Sequence, residues 1–395
     1  LTIINEIYPN LSWALTNNYR LNNILSEQYI DNPHCLSYLD NLISELLSYN
    51  CKGIQDKLKD ASDLNKFIST LSELQITLIL AKNEEIGELK LLHDNYFLKE
   101  SPDILFRNRN FTFYVEVRRI YANPYIVDTI LDHLQEFLKG YPFCVNIFLG
   151  TELSIPKMRG TERIAQKDLV KESLRIFEEE FKEKIASDML TSSFVIETNY
   201  IKFTVEKTKS GKGYPGFITS DLIEVPTDIL CTYITERLVE KAAKRDSFNS
   251  EHRKIYYIVA FDCHEPSIDA IDMNELLYGH MSYISELNIT GSSEEDYAKN
   301  RLDYWNFLNN NIKNSASWRI IEQAKNRGWE KLLTEKCLIP NDYSYIDDEG
   351  IFISETKMKN VSGVLFRGTR NEIAFYPNPF CDTEINNPKI LNFMK

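Results

Sequence analysis

No apolar run in this 395-residue chain is long enough to cross a bilayer; the longest, such as Ile76 to Ala81 and Ile255 to Phe261, are short. The opening LTIINEIYPN lacks the charged stretch, apolar stretch and small-residue cleavage site of a secretory signal, so none is expected. The seven cysteines (35, 51, 144, 231, 263, 337 and 381) are odd in number and never form C-x-x-C. That argues against a disulfide scaffold or a zinc knuckle, and the expected location is the reduced cytoplasm, with no membrane partner. An excess of basic residues is missing too: 45 Lys and Arg against 58 Asp and Glu give −13. Such acidity does not advertise a nucleic-acid binder, yet a local basic groove or metal-neutralised carboxylates are compatible with it. Internal repeats, low-complexity tracts and flexible linkers are also lacking.

What is present is an ordinary globular composition, 43% hydrophobic and 26% charged, in a chain long enough for two or three domains. Residues 1–66 read as helical, with apolar residues at three- and four-residue spacings from Leu36 to Leu47. Asp63 is placed to cap a helix carrying Phe67, Leu71, Leu74, Leu78 and Ile79. Short strands are expected at about 88–92, 103–107 and 111–120, then a helix over 125–139 and a buried strand over 144–149. A charged helix over 166–189, one alternating strand over 194–207, a helix near 228–245, a strand over 255–261 and a hairpin over 361–376 follow. The class is α/β, a mixed central sheet flanked by helices, and the pieces read as one extended core.

The stretch SPDILFRNRNFTFYVEVRRI, residues 101–120, carries the chemistry. Alternation along a strand puts Val115 and Val117 on one face and Glu116 and Arg118 on the other. The Arg107-Asn108-Arg109-Asn110 tip suits a hairpin turn. Folding there brings Asp103 within about a residue of lying opposite Glu116, at roughly 4.5–5.5 Å. Two carboxylates that close repel each other unless a cation lies between them, and Mg²⁺ favours such oxygen ligands completed by water and phosphate.

Pro-Asp, a short hairpin and Glu-x-Arg together resemble the motif of the PD-(D/E)xK restriction-endonuclease-like superfamily. The order helix, three strands, helix, strand over residues 67–149 resembles its core. The resemblance implies Glu73, Asp103 and Glu116 as ligands of Mg²⁺ or Mn²⁺, and Arg118 in the position the motif gives to lysine. It also implies hydrolysis of phosphodiester bonds in nucleic acid, DNA foremost, and a homodimer is compatible, because members often dimerise to cut both strands. The chain then divides into a helical region (1–66), a nuclease-like α/β core with an inserted charged helix and hairpin (67–280), and a C-terminal helical segment with a final hairpin packed on the core (281–395).

Arginine is the departure. It keeps the charge but cannot transfer a proton. Three alternatives stay open: the charge alone suffices, Lys241 from the later helix supplies an ammonium group, or cleavage is lost and the fold binds nucleic acid or a protein partner.

Other features read more simply. The basic residues Lys157, Arg159, Arg163, Lys167 and Lys171, and Lys202, Lys207, Lys209 and Lys212 among Tyr200, Phe203 and Tyr214, are expected on solvated surface, because acids are interspersed. The G-x-x-x-x-G-K-[ST] phosphate loop is absent around Ser210-Gly211-Lys212-Gly213. Cys263-His264-Glu265 is a strand-end turn without a second ligand pair, and Trp305, Trp318 and Trp329 are expected to build core.

Overall fold

The computed structural model describes residues 7–28, 33–61, 64–82, 87–93, 101–107, 111–120, 124–154, 160–187, 193–208, 211, 213–220, 227–245, 255–264, 268–283, 293, 295, 299, 316–335, 344–346, 349–369 and 372–383. Asp63, the hairpin tip Asn108–Asn110, Lys157, Arg159, Lys209, Lys212, Glu265 and Trp305 lie outside them.

The N-terminal region is helical as expected: α1 (Pro9–Ala14), α2 (Tyr19–Gln28), α3 (Pro33–Ser48) and α4 (Ile54–Lys59) precede the long α5 (Leu64–Ala81). In α3 the buried Leu36, Leu39, Leu42, Ile43 and Leu46 make the single apolar stripe that their spacing predicts. Strands β1 (Glu88–Leu91), β2 (Ile104–Arg107) and β3 (Thr112–Ile120) follow as an antiparallel meander. After them come α6 (Pro124–Phe137), β4 (Phe143–Leu149), α7 (Gly160–Ala186), β5 (Ser193–Glu197), β6 (Ile201–Lys207) and β7 (Tyr214–Ser220). Helix α8 (Thr227–Lys244), strand β8 (Tyr256–Cys263), helix α9 (Ala270–Tyr278), the small pair β9 (Met281–Tyr283) and β10 (Ser344–Ile346), and the hairpin β11 (Gly363–Arg367) and β12 (Ile373–Pro377) follow, with helices Ala316–Asn326 and Glu330–Glu335 between β9 and β10.

The strands sort into two principal sheets, which corrects the expectation of one extended core. The larger has the order β1-β2-β3-β8-β11-β12, the smaller β5-β6-β4-β7. Each sheet has its own apolar cluster, one built from the N-terminal helices, α8 and the C-terminal elements, the other from α6, α7 and β4–β6. Strand β4 therefore does not extend the motif sheet. The open edge of β3 is taken instead by β8, parallel to it from Phe113↔Tyr256 to Ile120↔Cys263. Every residue of β8 is buried, as expected for a central parallel strand covered on both faces.

Two smaller corrections have local causes. The single strand expected over 194–207 is a hairpin, because the Thr198 hydroxyl accepts from the N–H of Ile201 at 3.0 Å and closes a turn there. The final hairpin is an integral edge of the large sheet: β11 lies parallel to β8 in the register Gly363↔Ile258. Among the aromatics, Trp329 is buried as expected while Trp318 is partly exposed, and Phe203 belongs to the second core. Among the described residues no helix is long and apolar enough to cross a membrane.

The register places the helices. Glu116 and Arg118 share a face with Val259 and Phe261 of β8, and α8 covers that face, its Lys241 carbonyl accepting from the Tyr257 hydroxyl at 3.0 Å. Asp262 looks the other way, toward α5, where Gln75 accepts from Arg367 at 3.0 Å.

Candidate active site: a carboxylate and lysine network

Asp103 is held by backbone bonds on both sides. Its N–H donates to the Val115 carbonyl at 3.0 Å, and its own carbonyl accepts from Leu92 at 2.8 Å. Past this point the ladder with β3 stops, since Pro102 brings no N–H. The next N–H of β3, that of Val117, donates instead to Asp103 Oδ2 at 2.8 Å. The Pro-Asp pair thus ends the strand and aims a carboxylate back at the middle of β3. The paired register ends at Ile104↔Val115; just beyond it Asp103 stands near enough to Glu116 for its charge to act on that carboxyl.

Glu116 is 2% exposed. Its Oε1 accepts from Lys241 and, at 2.9 Å, from Lys244, two residues three apart on α8 and hence on one side of that helix. Its Oε2 is buried and without a hydrogen-bond partner among the described residues. Burial, with the negative charge of Asp103 added, raises the Glu116 carboxyl above the ordinary range, and the two lysines only partly offset this. The Lys244 ammonium moves up in turn: burial acts against its charge, but the charge and hydrogen bond of Glu116, with Lys241 and Asp103 added, together outweigh it.

Glu73 stands on α5, and a third lysine connects it to Asp103. Lys57 Nζ lies 2.9 Å from Glu73 Oε2 and 3.2 Å from Asp103 Oδ1. Burial opposes the charge on Lys57, but Asp103 and Glu73 outweigh it and hold its pKa above the ordinary lysine value. Local structure explains the placement. Lys52 donates to the Leu89 carbonyl and accepts from the N–H of Leu91, laying residues 51–53 alongside β1. Gly53, at φ 83°, then turns the chain into α4, and a Cβ there would sit 2.2 Å from the Leu91 carbonyl oxygen. One turn later comes Lys57.

Arg118 points to the same face as Glu116, but the lysines of α8 hold the glutamate. Arg118 Nη2 donates to the Tyr233 hydroxyl at 3.4 Å, a long bond, and its Nε finds no acceptor among the described residues. Arg237 stacks its guanidinium over the Tyr233 ring, 5.1 Å from the centroid, and pairs with Glu240.

The expected residues Glu73 and Asp103 thus share Lys57, and Glu116 pairs with the expected Lys241; the two groups are joined by the charge of Asp103 acting on Glu116, and each carboxylate meets a lysine before it meets another carboxylate. Among the described residues no three acidic, histidine or cysteine side chains converge on a common point for an ion. Lys57, Lys244 and Tyr233 were not singled out by sequence. The signal for one of them was there: Lys57 sits with Ile54 and Leu58 on a face otherwise apolar. His264 is a strand-end residue that pairs with Asp262 at 3.0 Å. No family model, curated protein or solved structure matches the chain.

Proposed function

We propose that the chain is a divalent-metal-dependent nuclease of the PD-(D/E)xK type, hydrolysing phosphodiester bonds in nucleic acid, DNA foremost, with Lys241 in the role the motif gives to lysine. The observation that carries this reading is the contact of Lys241 Nζ with Glu116 Oε1. It supplies from α8 the ammonium group that Arg118 cannot replace. The order of elements supports the same reading. Helix α5, strands β1 to β3, helix α8 and strand β8 run helix, three strands, helix, strand, with residues 124–220 as an insertion carrying the second sheet.

The donor set suits Mg²⁺ or Mn²⁺, which takes one or two carboxylates and completes its shell with water and phosphate. Asp103 and Glu116 are the two that would hold it, and Glu116 Oε2, without a hydrogen-bond partner among the described residues, is the donor it would meet. A metal ion bound there supplies polarisation of the phosphodiester and a more acidic water. The chain's own residues do the rest. Lys241 holds Glu116 in place and would offer an N–H to the attacking water or to the charge developing on the phosphoryl oxygens. Arg118, whose Nε has no acceptor among the described residues, would offer a planar pair of donors to a phosphate oxygen. Glu73 steadies Asp103 through Lys57.

Cutting of single- and double-stranded DNA with Mn²⁺ tests the assignment. Lys241→Met removes cleavage while Mn²⁺ still binds; Arg118→Met chiefly weakens substrate binding, raising KM. A Lys241→Met protein that cuts at the wild-type rate would overturn it.

A second reading, a nuclease fold that binds nucleic acid or a protein without cutting, is favoured by one feature. Lys57, Lys241 and Lys244 already balance the charges of Glu73, Asp103 and Glu116. It predicts binding indifferent to EDTA.

A further inference from the structure

We propose that Lys57 is a built-in cation, standing where a second divalent ion would otherwise bridge Glu73 and Asp103, so that the site works with one metal ion. This rests on the nuclease reading and adds to it a positioning residue outside the motif. Lys57 Nζ touches one oxygen of each carboxylate, Glu73 Oε2 at 2.9 Å and Asp103 Oδ1 at 3.2 Å. An ammonium group has three donors and no acceptor, so it can join two carboxylates as a bridging ion does. Its contacts are near 3 Å, whereas Mg²⁺ needs about 2.0–2.1 Å. Both cannot occupy the same gap.

The lysine is not a loose surface group that could swing away. Its side chain is 6% exposed, those of Glu73 and Asp103 10% and 16%. Gly53 fixes the start of α4 against β1, and Ile54 and Leu58, on either side of Lys57, are buried. Asp103 is constrained further, because its second oxygen accepts from Val117. Asp103 is therefore held through both of its oxygens.

The charge balance points the same way. Glu73, Asp103 and Glu116 carry −3 and Lys57, Lys241 and Lys244 carry +3, so the network is neutral. One divalent ion makes it +2, suited to a phosphodiester and its neighbouring phosphates. Two, the second in place of Lys57, would make it +3 beside Arg118, a heavier excess in a buried place.

Mn²⁺ titration of the full chain, followed by electron paramagnetic resonance, tests this. The wild type is expected to bind one ion, Lys57→Arg one, Lys57→Met two, and Lys57→Met/Glu73→Gln one again. If Lys57→Met binds one ion like the wild type, Lys57 is a structural ion pair and the inference fails, while the nuclease reading stands. If the wild type binds two, the inference also fails. If neither the wild type nor any variant binds Mn²⁺, the nuclease reading itself fails and takes the inference with it. Should Lys57→Met be unfolded in metal-free buffer, circular dichroism with added Mn²⁺ decides: recovery of the wild-type spectrum supports the inference, and a chain that stays unfolded overturns it.

Discussion

Replacing Lys241 by methionine removes one of two ammonium groups from a glutamate that is 2% exposed. Loss of one partner from a buried ion pair costs about 3–5 kcal/mol, mostly through the charge left behind. Here Lys244 still holds Glu116 Oε1 at 2.9 Å, so the expected cost lies at the lower end, about 3 kcal/mol. Lys244 itself has a side chain 27% exposed, against 10% for Lys241, so water compensates part of its loss. Lys244→Met should therefore cost less, about 1–2 kcal/mol after allowing for that screening. Removing both leaves Glu116 without a cation from α8, and the double variant should lose more than the two singles together. Urea unfolding at neutral pH measures these costs. Tryptophan fluorescence is the right probe, because Trp13, Trp305, Trp318 and Trp329 all lie outside the inserted second sheet of residues 124–220. A Lys241→Met cost within about 0.5 kcal/mol, the range of ordinary surface changes, would refute the account of Glu116. So would a Lys244→Met variant less stable than Lys241→Met.

Further outcomes follow from the same geometry. Gly53→Ala puts a Cβ 2.2 Å from the Leu91 carbonyl oxygen in a left-handed backbone, and should cost at least about 1–3 kcal/mol and displace Lys57, read as a fall in urea midpoint. Asp262 is buried, which disfavours its charge, but the hydrogen bond and charge of His264, then Ser72 and Arg367, hold its carboxyl below the ordinary range. A lowered folded pKa means stability that is present above the unfolded value, about 3.9, and lost as the pH falls through the folded one. The stability gap between wild type and Asp262→Asn should thus be full at about pH 5 and narrow on further acidification; a gap constant with pH would contradict the pairing. Arg118→Lys places an ammonium group beside that of Lys241 and should leave Mn²⁺-dependent cutting in place; loss of cutting would show that the planar guanidinium is needed.

The motif strand was legible because its information is local. Pro102 ends a ladder, alternation sets the faces of Glu116 and Arg118, and hairpin folding brings Asp103 beside β3. The partner of β3 was not legible, since β8 lies over a hundred residues later and competes with β4 for the same edge. Both strands are short and apolar, and nothing local tells a strand which sheet it joins. What decides it is the second core, in which β4 packs with α6 and α7. The lysines were half legible. A charged residue on an apolar helix face signals a buried partner, which fits Lys57 and Lys241, but the carboxylate it meets is set by tertiary structure. The departure at Arg118 gains its meaning the same way: the ammonium group at Glu116 comes from α8, not from the next turn of the strand.

The most direct test of the central claim is cleavage itself. The purified chain, incubated with single- and double-stranded DNA and RNA in Mg²⁺ or Mn²⁺ and compared with an EDTA control and with Asp103→Asn, should cut at least one substrate only when metal and Asp103 are both present. No cleavage of any substrate, or cleavage that survives EDTA or the loss of Asp103, would contradict the account.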